Sequence, residues 1–248
     1  MTKAIAIIPA RYASKRFPGK PLIEIAGKTM LKRVFDQVNK FKQLEAIVIA
    51  TENQEIFEHA STFCDHVFMT NEAHQSGTDR CLEAVQLYSE AQSSKPNVVL
   101  NIQCDEPFIH PSQIALLYHL FDNETTQIST IIKKIEKSKE LHDSNKVKAI
   151  VDLNGNALYF SRQAIPFVRD VHSKNWLENH TFYKHLGLYG YRTSVLEALG
   201  NLKTSALENA EKLEQLRWME NGFTIRTAVT ERESYSIDTP EDLENLNI

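Results

Sequence analysis

The chain has 248 residues, 42% hydrophobic and 24% charged, which is enough for one large α/β domain or two small ones and for a sizeable core. A formal net charge of −4 argues against general binding to nucleic acid or an anionic membrane, so any polyanionic ligand must be met by a local cationic cluster. The three cysteines, Cys64, Cys81 and Cys104, show no disulfide or zinc spacing, no apolar run approaches the roughly 20 residues of a membrane span, and the N-terminal segment does not read as a signal peptide; together these features predict a cytoplasmic protein.

In chain order, "KAIAIIP" (3–9) is a continuous apolar run of strand length. "TMLKRVFDQVNKFKQ" then places Leu31, Val34, Phe35, Val38 and Phe41 on one helical stripe. "EAIVIAT" (45–51) predicts a second buried strand, "QEIFEHASTFC" a helix, "DHVFMT" a short strand, and residues 78–92 a further helix. "NVVLNIQ" (97–103) is strand-like, and "PSQIALLYHLFD" (111–122) opens with Pro in a first helical turn. Near-continuous apolar strands alternating with helices indicate a mostly parallel sheet covered on both faces.

The pattern changes after about residue 125. "KVKAIVD" and "NALYFS" flank an Asn154-Gly155 hairpin turn, and "HLGLYGYR" (185–192) reads as another strand. "SALENAEKLEQLRWMENG" predicts one long helix, with Ser205 as its cap and Gly222 just past its end. "SYSIDTPEDL" predicts a short strand running into a helix. The expectation is a single compact α/β domain over 1–248, with a mostly parallel sheet and an antiparallel lobe inserted at roughly 150–195.

No Gly-x-Gly-x-x-Gly is present, and "GKT" at 27–29 is not a P-loop because Leu22 stands where its first Gly must be. The segment "PARYASKRFPGK" (9–20) carries Arg11, Lys15, Arg16 and Lys20 with no acidic residue. It leaves the C-terminal end of the first strand, where open parallel sheets bind ligands, and Arg and Lys both match phosphate oxygens. Pro18 and Gly19 would bend the loop so that Lys20 returns over the same site as Arg11. A solvated surface loop is the competing reading.

"NIQCDEP" places Asp105 just beyond a buried strand, where a carboxylate suits Mg²⁺, although a plain turn accounts for the same residues. In "SIDTPEDL" the residues Thr239, Pro240 and Asp242 make a good helix start, and Asp238 joins Asp105 in a metal site only if the two meet across the sheet edge. "HQSGTDR" (74–80) offers hydroxyls and backbone N–H groups to a base edge, or simply a helix cap.

"IIPARYASKRFPGKPL", "HQSGTDR", "NIQCDEP", "ALYFSR", "HLGLYGYR", "LEQLR" and "IDTPEDL" occur in one order and spacing. Together they resemble the 3-deoxy-manno-octulosonate (KDO) cytidylyltransferases over nearly the whole chain. The resemblance implies a Rossmann-like nucleotide-binding sheet flanked by helices, a homodimer built partly through the inserted lobe, CTP and a sugar acid as substrates, Mg²⁺ as the metal, and CMP-KDO and pyrophosphate as products for lipopolysaccharide biosynthesis. It implies that Arg11 and Lys20, helped by Arg16, grip the CTP phosphates, with Ala10, Ser76 and Gly77 against the cytosine and Arg80 nearby. Asp105 and Asp238 correspond to the metal-binding pair, and Gln103, Arg162, His185, Tyr189, Glu214 and Gln215 to the sugar-acid contacts. Cys104 is a departure, standing where the family usually has Gly. Rival readings are a cytidylyltransferase for an 8-amino analogue of KDO or a sialic acid, a nucleotide-binding protein without catalysis, and nucleic-acid binding through the cationic loop.

Overall fold

The computed structural model describes residues 2–13 and 17–244. Lys15 and Arg16 of the opening loop lie outside the described residues. In chain order the first part runs β1 (Ala4–Pro9), a 3-10 turn (Lys20–Leu22), a small hairpin β2 (Glu24–Ile25) and β3 (Lys28–Thr29), α1 (Met30–Val38), β4 (Ala46–Thr51), α2 (Gln54–Ser61), β5 (His66–Met69), α3 (Gly77–Gln92), β6 (Val98–Asn101) and α4 (Pro111–His119). The second part runs β7 (Ile128–Lys134), α5 (Ser138–His142), β8 (Lys148–Val151), β9 (Ala157–Ser161), α6 (Trp176–Asn179), β10 (Tyr183–Arg192), α7 (Thr193–Leu199), α8 (Ala206–Glu211), α9 (Glu214–Glu220), β11 (Ile225–Val229) and α10 (Pro240–Glu244).

Burial on both faces explains why β1 reads as an unbroken apolar run. Ile5 and Ile7 belong to one core cluster, with Cys81, Ala84 and Val85 of α3 and Leu216 and Trp218 of α9. Ala4, Ala6 and Ile8 belong to the opposite cluster, with Leu31, Val34 and Val38 of α1 and Ile114 and Leu117 of α4. The period-2 alternation of a strand thus feeds two cores at once.

The main path of the sheet is β11-β7-β10-β6-β1-β4-β5. β1 pairs in parallel with β4 on one side and β6 on the other. The chain therefore winds outward through β4 and β5, then crosses back beyond β1 to β6. That reversal opens a crevice at the C-terminal ends of β1 and β6, the place where open α/β sheets take ligands.

β10 is antiparallel to both β6 and β7, and β8 and β9 form the hairpin predicted around Asn154-Gly155, with Gly155 at φ +81°. β10 lies within the expected lobe yet runs out of it into the middle of the main sheet. Ile135, Leu141, Trp176 and Phe182 make a small separate core under the lobe.

Two expectations are corrected. The single helix expected over 205–222 is two, α8 and α9, because Lys212 takes a left-handed conformation at φ +52° and Leu213 turns into the main core. The strand expected at the start of "SYSIDTPEDL" does not form. That segment crosses the sheet edge as an extended loop, with the Ile237 N–H bonded to the Asp105 carbonyl at 2.9 Å. β7, β11 and α7 were not singled out from the sequence; β7 and β11 form a parallel pair at the edge of the main sheet.

Gly190 sits where β10 passes between β6 and β7. A Cβ there would lie 2.5 Å from Ser129 Oγ, 2.7 Å from a Phe121 ring carbon and 2.9 Å from a Leu100 methyl. Gly190→Ala is expected to cost about 1–3 kcal/mol by overpacking, a drop of roughly 2–12 °C in Tm, and an unchanged calorimetric Tm would show that these strands can spread. His185, also on β10, packs edge-on against Phe160 and shares a 2.9 Å hydrogen bond with Thr130 Oγ1. Burial pushes its pKa down from 6.5 to about 3. The unfolded chain therefore takes up a proton that the native state refuses, and this stabilising contribution is present above pH 6.5 and lost as pH falls toward about 3. The difference in unfolding free energy between wild type and His185→Asn should shrink between pH 7 and pH 4 in denaturant titrations; a constant difference would contradict a native imidazole that stays neutral.

Candidate active site

The crevice at the β1/β6 reversal is a cleft of about 470 Å³. Pro9 and Arg11 enter it from the end of β1, Gln103, Cys104 and Asp105 from the end of β6, and Ser76 and Gly77 from the start of α3. Lys20 enters from the 3-10 turn that follows the cationic loop. Gly19 makes that return possible: it adopts φ +69°, a region costly for other residues, and its N–H bonds the Tyr12 carbonyl at 3.0 Å. Arg11 and Lys20 consequently line the same cleft although nine positions separate them in sequence.

Lys20 is buried, and its Nζ lies 2.8 Å from Asp105 Oδ2 and 3.3 Å from Asp238 Oδ1. Burial alone would lower its pKa, but the two carboxylates outweigh it and hold the ammonium above its ordinary value. The proximity of Asp105 and Asp238, which sequence could not show, comes from the Ile237–Asp105 backbone bond and from the burial of Ile237 against Ile25 and Met30. The Asp242 carboxylate accepts from the N–H groups of Asp238 and Thr239 at 2.8 and 2.9 Å and fixes the entry to α10.

The donor chemistry of this pair decides whether it suits a metal ion. Among the described residues no group of three or more His, Cys, Asp and Glu side chains could hold a metal ion. Two carboxylate oxygens that already share one cation, beside a cleft with room for substrate phosphates, do fit Mg²⁺, which binds one or two carboxylates and keeps water or phosphate for the rest.

Opposite this pair, Ser76 caps α3, its Oγ accepting from the Asp79 N–H at 3.1 Å, and Gly77 packs 3.4 Å from the Gln103 amide when a Cβ is placed on it. Arg80 is buried with its Nη2 2.9 Å from Glu52 Oε2, and Glu52 Oε1 accepts the Tyr12 N–H at 2.8 Å. Glu52 thus ties Arg80 to the backbone of the cationic loop. Sequence reading missed it; its position one residue beyond β4 was the available signal. Ala10 is fully buried, with its N–H on the Ala50 carbonyl, and is not among the residues lining the cleft.

A second chamber of about 350 Å³ adjoins the first and shares Gln103, Asp105 and Asp238 with it. Of the remaining residues expected to meet the sugar acid, His185 lines this chamber. Arg162, Tyr189, Glu214 and Gln215 line neither. The Arg162 guanidinium is held by the carbonyls of Glu211 and Ser144 at 2.7 and 3.0 Å. Glu214 accepts from Thr78 Oγ1 at 2.9 Å and from Arg217 at 2.7 Å, and burial raises its pKa despite those bonds. Tyr189 stacks on Tyr191, its buried hydroxyl making no hydrogen bond to the described residues, and Gln215 is buried.

Two further groups flank the pair. Glu106 is hydrogen-bonded to Ser234, and burial raises its pKa to about 7. Cys104 is a buried free thiol at the cleft wall with no positive φ, so the chain accommodates a side chain there without strain. Burial holds that thiol well above its ordinary pKa, which keeps it protonated and unreactive.

Comparison with known proteins places this architecture. A family model described as cytidylyltransferase matches residues 5–246. The chain is 49% identical over 241 residues to the 3-deoxy-manno-octulosonate cytidylyltransferase of Cytophaga hutchinsonii, covering 96% of this chain and 94% of that one. It is 47% identical over 248 residues to the enzyme of the same name from Parabacteroides distasonis, covering 98% and 96%. A solved CMP:2-keto-3-deoxy-manno-octonic acid synthetase complexed with CTP superposes with a TM-score of 0.88 at 35% identity, covering 98% and 96%. A 4-diphosphocytidyl-2C-methyl-D-erythritol synthase from Anaerococcus prevotii, at 12% identity and a TM-score of 0.61, covering 98% of this chain and 95% of that one, shares the fold alone. With that similarity over nearly its whole length, the chain belongs to the 3-deoxy-manno-octulosonate cytidylyltransferase family.

Proposed function

We propose that this protein transfers CMP from CTP to the anomeric hydroxyl of KDO, forming CMP-KDO and pyrophosphate. The observation that carries the reading is the cleft at the β1/β6 reversal, where Arg11 lines the same nucleotide-sized space as a carboxylate pair bridged by Lys20. The sugar hydroxyl oxygen attacks the α-phosphorus of CTP, the bond from that phosphorus to the bridging oxygen breaks, and the hydroxyl proton is released to solvent. Rate enhancement comes from positioning and from neutralising negative charge on the phosphoryl oxygens and the leaving pyrophosphate. Arg11 and Lys20 supply cationic donors for the triphosphate, and Ser76 and Gly77 present a hydroxyl and backbone to the base. Asp105 and Asp238 would hold Mg²⁺, which when bound supplies divalent positive charge against the oxygens of the reacting groups.

Gln103, which lines both chambers, is the natural divide between nucleotide and sugar acid, with His185 beyond it as an uncharged hydrogen-bonding wall. Arg162, Tyr189, Glu214 and Gln215 complete the sugar-acid side in this reading, with Arg162 and Glu214 changing partners when substrate enters. In this reading activated KDO is supplied in the cytoplasm for lipopolysaccharide assembly; no helix among the described residues is long and apolar enough to cross a membrane. A homodimer joined partly through the lobe is supported by the exposed apolar side chains of Leu153, Leu158 and Phe167.

Pyrophosphate release from CTP should require Mg²⁺ and KDO, and should be slower with an 8-amino analogue or a sialic acid at equal concentration. A faster rate with either acid would reassign the substrate, and CTP binding without release for any acid would make the protein a nucleotide binder. Asp105→Asn and Asp238→Asn should each lower kcat by roughly 10²–10³, the scale of losing one preorganised electrostatic contact, with CTP affinity less affected. Turnover at the wild-type rate in both variants would remove the pair from the mechanism.

A further inference from the structure

The carboxylate pair already contains a cation, and it is the side chain expected to hold phosphate. Lys20 Nζ bridges Asp105 Oδ2 at 2.8 Å and Asp238 Oδ1 at 3.3 Å from a buried position. Its backbone is pinned: the Gly19 N–H bonds the Tyr12 carbonyl at 3.0 Å and the Leu22 N–H bonds the Gly19 carbonyl at 2.9 Å. Movement of the ammonium must therefore come from its four-carbon stem. A divalent ion needs oxygens at about 2.0–2.1 Å, and it cannot take the face of the pair that a buried ammonium occupies without displacing it. Among the described residues that line the cleft, Asp105 and Asp238 are the only carboxylates, and the cleft lies open to a triphosphate beside Arg11.

We propose that Lys20 is the resident cation of the Asp105–Asp238 pair in the nucleotide-free protein, holding the two carboxylates in register and excluding free divalent metal until a nucleotide triphosphate draws its ammonium away. This inference rests on the reading of the pair as metal ligands. The ammonium passes from carboxylate to phosphate as a divalent ion takes its place, so neither the carboxylate pair nor the triphosphate is left without a counter-charge. The arrangement makes metal entry depend on nucleotide. It also gives Lys20 two successive roles, as a positioning residue in the free protein and a phosphate contact in the complex.

The test is Mn²⁺ binding to nucleotide-free protein, read by electron paramagnetic resonance of the free ion, for wild type, Lys20→Met, Lys20→Arg, Asp105→Asn and the Lys20→Met/Asp105→Asn double variant. Lys20→Met should bind Mn²⁺ roughly ten- to a hundredfold more tightly than wild type, the scale of a lost hydrogen bond to a charged group. Lys20→Arg, which keeps a cation, should stay near wild type, and the double variant should lose the gain. Equal or weaker binding by folded Lys20→Met, with Asp105→Asn weakening the wild-type site, overturns the role of Lys20 while leaving the metal pair intact. A gain that survives in the double variant overturns both. Should Lys20→Met fail to fold, nitrogen-15 spectra of the wild-type lysine ammonium groups decide. The Lys20 signal should be protected from exchange in the free protein and lose its carboxylate coupling when CTP and Mg²⁺ are added together but not with Mg²⁺ alone; loss with Mg²⁺ alone overturns the proposal.

Discussion

Burial of β1 on both faces is the constraint from which the rest of the molecule follows. A strand with Ile5 and Ile7 in one core and Ala6 and Ile8 in the other has no solvent face, so it must lie inside the sheet with helices on either side. Its neighbours β4 and β6 are reached by crossovers in opposite directions, which leaves the end of β1 as the place where the chain's polar loops can converge. Beyond the Ala10 bond to the Ala50 carbonyl the chain leaves the sheet, and its loop presents Arg11, turns back through Gly19 and returns Lys20 to the same space.

Convergence alone would produce a cationic pocket. The C-terminal segment changes its character by crossing the sheet edge to pair Ile237 with the Asp105 backbone and bring Asp238 to Lys20. A few hydrophobic contacts, Ile237 with Ile25 and Met30, thereby position a charged group 133 residues from Asp105 along the chain. On the other wall Glu52 performs a similar task, joining Arg80 to the loop backbone. The cleft is a balanced array of opposed charges, well suited to a highly charged substrate whose binding needs counter-charges already in place.

The antiparallel β10 serves as the joint between this nucleotide-binding half and the rest. One end pairs with β6 beside the cleft, the other with the β8–β9 hairpin of the lobe, and His185 faces the second chamber between them. Close packing at Gly190 leaves little room for β10 to shift against β6 and β7. Rigidity here keeps the two chambers in fixed relation, which an in-line transfer between two substrates demands.

Strand and helix alternation, the placement of the cationic loop after β1 and the Asn154-Gly155 hairpin were legible in the sequence because each is a local pattern of period, propensity or turn chemistry. The ordered motifs carried the family as well. The helix expected over 205–222 shows where local reading stops: its residues favour one helix, but burying Leu213 in the core forces a left-handed turn at Lys212. The meeting of Asp238 with Asp105, the tie from Glu52 to Arg80 and the ammonium between two carboxylates were decided by tertiary structure alone. Each joins segments far apart in the chain, and only the packing of the whole sheet brings such segments within the few ångströms over which charges and hydrogen bonds act.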